Sequence, residues 1–143
     1  MFDKILVAID LDPDSANPVL DKARELGSKE VWVVHAVEPQ YVQYSIDPTF
    51  TGSLTRAMEE DAIKAARTRL AELCANYDIP ADRQLTPIGR AADQIHDAAV
   101  EHGVDTILIG SHARRGLGRL LGSTANAVLH GSPVNVMTIR VTS

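Results

Sequence analysis

Three short apolar runs constrain this chain more than any other feature: residues 5–9 (ILVAI), 31–37 (VWVVHAV) and 106–109 (TILI), with a last strand read at 134–139 (VNVMTI) near a sheet edge. Continuous apolar runs of this length, rich in β-branched residues, suit strands covered on both faces, whereas a half-exposed strand would alternate with polar residues. Strands of that kind belong to parallel sheets, which need a crossover of helical length between successive strands. The intervals between the runs are long enough for such crossovers.

The first interval opens with turn formers, and Asn17 before Pro18 has the form of an N-cap and first helical residue ahead of Val19, Leu20, Ala23 and Leu26. This helix is expected to stop near Gly27. Residues 39–54 lose all periodicity, with Pro39, Pro48 and Gly52 breaking it. Helical spacing then resumes at Met58, Ala62, Ala66, Leu70, Leu73 and Tyr77, which share one face. Residues 83–89 (RQLTPIG) read as a weak third strand near a sheet edge, because Pro87 cannot donate to a ladder. Residues 90–102 carry Ala91, Ile95, Ala98 and Ala99 at helical intervals before Gly103, and residues 123–130 form a last helix closed by Gly131. The alternation of strand and helix predicts an α/β fold, a doubly wound, mostly parallel five-stranded sheet with helices on both faces. With 143 residues, the whole chain is expected to be one domain.

Charge and cysteine usage narrow the function. A formal net charge of -5 opposes general affinity for nucleic acid or an anionic membrane, so no nucleic-acid partner is expected. Cys74 is the single cysteine, which excludes an internal disulfide and fits a reducing compartment. The first apolar run is too brief for a signal segment or a membrane span. A cytoplasmic protein without membrane insertion is the expectation. No G-x-S-x-G, H-E-x-x-H or Cys–His arrangement marks a familiar catalytic class, and the five histidines show no metal-ligand spacing.

Chemistry concentrates after the fourth strand. Gly110 is expected to end that strand, and the segment SHARRGLGRLLGST then leads into a helix, with Gly116, Gly118 and Gly122 along it. Glycines between a strand and a helix N-terminus let backbone amides approach an anion, and the hydroxyls of Ser123 and Thr124 can add hydrogen bonds. Arg114, Arg115 and Arg119 read as solvated loop charges. Asp10, at the end of the first strand, is either a turn residue or a ligand anchor at the crevice where strand order reverses. Asp12 and Asp14 beside it read as turn residues.

A strand ending in Gly-Ser-His, a glycine-rich loop, Gly-Ser opening a helix and a closing Ser-Pro-Val strand together resemble the universal stress proteins. VAID, VVHAV and PIGRAADQI fall where that family has counterparts, so the likeness spans the chain. It implies a Rossmann-like sheet of the adenine nucleotide alpha hydrolase kind, and ATP, with or without Mg²⁺, whose phosphates lie on the loop G-x2-G-x9-G-[S/T]. Gly110, Gly122 and Ser123 match that pattern, while Ala113 replaces its second glycine and the loop is one residue shorter. The resemblance further implies contacts from Ser111 and Thr124, a nucleoside lined by Ala8, Ile9 and Asp10, and a base against Ala36 and Val37. Three functions follow: a nucleotide-dependent regulatory protein whose loop surface is read by a protein partner, a nucleotide-independent homodimeric interaction protein, and a very weak ATPase. The homodimer would form through the last strand, from Val134 to Arg140.

Overall fold

The computed structural model describes residues 2–39, 52–112 and 122–141. Strands β1 (Lys4–Ala8), β2 (Glu30–Val34), β3 (Gln84–Leu85), β4 (Thr106–His112) and β5 (Asn135–Val141) form one sheet in the order β3-β2-β1-β4-β5. Every pairing is parallel, with Ala8 set between Val34 and Ile109. Between the strands lie α1 (Pro13–Leu26), α2 (Gly52–Cys74), α3 (Ala91–Glu101) and α4 (Ser123–Leu129).

The unbroken apolar run of β1 has its explanation in the two layers beside it. Ile5, Val7 and Ile9 pack with Val19 and Leu20 of α1 and Leu70 and Leu73 of α2 on one face. Leu6 and Ala8 pack with Ile95, Ala98 and Ala99 of α3 and Val128 of α4 on the other. Each fully buried Leu, Ile or Val contributes about 1.5–3 kcal/mol relative to exposure, so both faces of β1 are committed to the core. Among the described residues no helix is long and apolar enough to cross a membrane.

Several expected boundaries move. Helix α1 starts at Asp12-Pro13 and not at Asn17-Pro18: Asp12 accepts the Asp14 N–H at 3.0 Å, and Pro18 lies inside the helix. Both dipeptides have the right chemistry, and only the first lets the helix begin directly above the end of β1. Helix α2 buries Ala66, Leu70, Leu73 and Cys74, but Met58 is 44% exposed, because periodicity defines a face without saying what stands opposite it. Strand β2 ends at Val34, with Val37 rejoining the sheet through a single bridge to Ile88. Strand β4 continues through Gly110 to His112, and Gly110 pairs with Ile139. That glycine is no strand break. A Cβ there would lie 3.1 Å from Val141 Cγ2 and 3.2 Å from Val19 Cγ2, so the missing side chain is what lets α1 and β5 close over β4. Strand β3 does occupy an edge, and Gly27, Gly103 and Gly131 hold the left-handed φ expected after helices.

Candidate functional site

Strand order fixes where a site can form. From β1 the chain crosses by α1 to β2 on one side, while β4 lies on the other, so the carboxyl ends of β1 and β4 diverge and leave a crevice. A cleft of about 460 Å³ opens there. Of the sequence-predicted site residues, Ala8, Ile9, Asp10, Ala36, Val37, Gly110 and Thr124 line it. Ser111, Gly122 and Ser123 are placed nearby in the chain but not on its wall, and Ala113 lies outside the described residues, as do Arg114, Arg115 and Arg119.

Each wall has a local cause. Asp10 accepts the N–H of Asp12 at 3.1 Å, so it shapes the turn into α1 while also facing the cleft. Val37 has both backbone groups engaged: its N–H donates to Pro87 O at 2.7 Å and its carbonyl accepts from Gly89 N at 3.0 Å. Its N–H is therefore committed within the fold, while its carbonyl keeps a second lone pair beside the apolar side chain. Gly89 makes that bond with φ +148°, a region that disfavours any Cβ, and a Cβ there would collide with the Gln94 side chain. Beyond it, Glu38 Oε1 accepts the Ala91 N–H at 3.2 Å and anchors the start of α3.

His35 adds a polar group of defined character. Its Nδ1 lies 3.0 Å from the Ile9 carbonyl, which can only accept, so Nδ1 carries a proton and donates it to that oxygen. The carboxylates of Asp10 and Glu38 make the side-chain wall rich in acceptors. Donor capacity lies with the hydroxyls of Ser15 and Thr124 and at the start of α4, where the N-cap Gly122 has no side chain to occupy the first-turn amides. Among the described residues no group of three His, Cys, Asp or Glu side chains converges to hold a metal ion.

The whole chain can now be set beside known proteins. The model of the universal stress protein family matches residues 1–140. The chain belongs to this family. Universal stress protein A homolog 2 of Coxiella burnetii is 36% identical over 143 residues, covering 98% of this chain and 96% of that one. Hypothetical protein MJ0577 superposes with a TM-score of 0.75 at 20% identity, over 98% of this chain and 96% of that one. A universal stress protein in complex with cAMP superposes with a TM-score of 0.59 at 21% identity, over 98% of both chains.

Sequence reasoning missed Ser15, Val19, Val34, His35, Glu38, Ala91, Ile95 and Ile109 as cleft residues. His35 and Glu38 flank Ala36 and Val37 in the segment after β2, so the crevice rule could have found them. Val19 and Ile95 carry no local signal: both read as core positions of their helices, and only the sheet order brings the two helices to one crevice.

Proposed function

We propose that this universal stress protein binds an adenine nucleotide in the cleft beyond β1, β2 and β4, and acts as a regulatory protein through a nucleotide-dependent change in the neighbouring loop surface. The cleft carries the reading. Its size falls within the roughly 300–1,000 Å³ usual for small-ligand sites, and its walls combine apolar surface with a few convergent polar groups. Acceptors at Asp10 and Glu38 suit a ligand rich in donors, such as the amino group of adenine and the hydroxyls of ribose. The base would rest against Ala36, Val37 and Ile95, and Asp10 would take the ribose. Phosphates would lie toward Gly110, Thr124 and the start of α4, away from Glu38, with Mg²⁺ offsetting repulsion from Asp10. That a solved protein of the same fold is a universal stress protein in complex with cAMP supports an adenine nucleotide as the ligand class.

State control requires the ligand to distinguish two loop conformations. The protein would work in the cytoplasm, reporting to a protein partner, with a second copy paired along the exposed edge of β5. Isothermal titration of ATP, AMP and cAMP, with and without Mg²⁺, tests the binding. Saturable heat that disappears in Val37→Trp, which fills the cleft, is expected. Absence of saturable binding by any of the three overturns the reading, and a dimer persisting without nucleotide affinity would favour the interaction protein.

A further inference from the structure

Among the described residues that line the cleft, His35 is the one side chain able to take up a positive charge; the other charged groups there are the carboxylates of Asp10 and Glu38. His35 is partly buried and held at two points. Its backbone N–H donates to Leu85 O at 2.9 Å, and its Nδ1 donates to Ile9 O at 3.0 Å. Because that carbonyl can only accept, Nδ1 keeps its proton in both charge states of the ring, and the second proton adds at Nε2. The ring therefore gains or loses its charge without breaking the bond that seats it.

The surroundings make this charge matter to a ligand. Asp10 after β1 and Glu38 after β2 stand on the same wall as His35. Asp12 and Asp14 follow at the start of α1, and from α2 Arg69 reaches that turn, its Nη2 donating to Leu11 O at 2.9 Å. Helix α3 faces the cleft with Ala91 and Ile95 and keeps Arg90 exposed at its N-cap, and α4 contributes Thr124. Residues 85–87, which run beside His35 at the end of β3, carry no titratable side chain. An anion entering this cleft meets two carboxylates, and a proton on His35 offsets one of them.

We infer that an anionic nucleotide enters this cleft together with a proton taken up by His35, so that occupancy rises as the surroundings acidify through the range in which histidine changes charge. The inference rests on the nucleotide reading of the cleft. A bound anion favours the charged ring over the neutral one, so affinity is highest below that range and falls as pH rises through it. Strands β2 and β4 lie two spacings apart in the sheet, about 10 Å. One negative charge at that distance shifts the protonation equilibrium about two- to fifteen-fold for effective dielectric constants between about 80 and about 20.

Cyclic AMP and adenosine make the test, because the first carries one phosphodiester charge that is constant over this range and the second carries none. Isothermal titration at low ionic strength should find cyclic AMP bound about two- to fifteen-fold more tightly at about pH 5.5 than at about pH 8, with net proton uptake, and adenosine bound equally at both. His35→Asn, whose amide can donate to Ile9 O in place of the ring, and His35→Gln should each bring the cyclic AMP ratio close to one. Equal cyclic AMP affinity at the two pH values, the same dependence for adenosine, or a dependence that survives both substitutions overturns the inference and leaves the nucleotide reading standing. Absence of cyclic AMP binding overturns it too, and the nucleotide reading then stands or falls on ATP and AMP.

Discussion

Replacing Asp105 should loosen the amino-terminal edge of the sheet while leaving the cleft at its other end intact. The carboxylate gathers four donors: Oδ1 accepts from Phe2 N at 2.9 Å and Thr106 Oγ1 at 2.8 Å, and Oδ2 accepts from Asp3 N at 2.9 Å and Lys4 N at 3.1 Å. The Asp3 and Lys4 amides are exposed, and water can replace their acceptor. Phe2 N and Thr106 Oγ1 are partly buried, and Thr106 is only 1% exposed, so their loss counts more. Phe2 also holds a left-handed φ of 62° while its ring packs on the core, a strained conformation that this hydrogen bond helps to keep. At roughly 1–1.5 kcal/mol for each partly buried donor and less for the exposed pair, Asp105→Ala should cost about 2–4 kcal/mol. That corresponds to a melting temperature lower by about 6–12 °C for a domain of this size. Asp105→Asn keeps one acceptor oxygen and should cost about half as much.

The pH dependence supplies a second readout of the same interaction. Desolvation raises the Asp105 pKa, but hydrogen bonds from Lys4, Thr106, Phe2 and Asp3 outweigh it and hold the carboxyl below its ordinary value of 3.8. A depressed folded-state pKa means the stabilisation is complete above the unfolded value and is lost as pH falls through the folded one. The difference between parent and Asp105→Asn in calorimetric melting should therefore be constant near neutrality and shrink below about pH 4. A difference under about 2 °C for Asp105→Ala, or one that does not change on acidification, would refute this reasoning.

Gly89→Ala should lower the melting temperature by an amount equivalent to about 1–3 kcal/mol, because φ +148° and the Gln94 side chain both oppose a methyl group; an unchanged melt would show that the turn before α3 relaxes freely. Gly110→Val should destabilise by a similar amount through overpacking against Val19 and Val141, and should also weaken any cleft ligand, read by calorimetry and titration on one preparation. Cys74 is buried, and desolvation pushes its thiol up to about 11, so a thiol reagent at pH 8 should label it only as fast as the chain unfolds. Stoichiometric labelling within the dead time of mixing would contradict its burial.

The layered fold was legible because the signal for it is local. A run such as ILVAI, apolar at consecutive positions, has no stable place except between two covering layers, and glycines after helical stretches mark where each crossover ends. Boundaries were less legible wherever two segments had the same chemistry. Asp12-Pro13 and Asn17-Pro18 are both good helix starts, and position above β1 chose between them. The site was read in part for a similar reason. Asp10, Ala36 and Val37 follow strands directly, so the crevice rule finds them, whereas Val19, Ala91 and Ile95 reach the cleft from helices whose placement depends on the sheet order.

Residue order by itself determined that β1, β2 and β4 would be buried parallel strands joined through helices, since burying each apolar run against neighbours of its own period leaves no other arrangement. It did not determine that Gly110 would lie within a strand or that His35 would hold a proton on Nδ1. Those depend on contacts between residues far apart in the chain, such as Val19 against Gly110 and Ile9 against His35. Close approach and hydrogen-bond partnership are properties of the packed chain, and packing is where this protein's chemistry was decided.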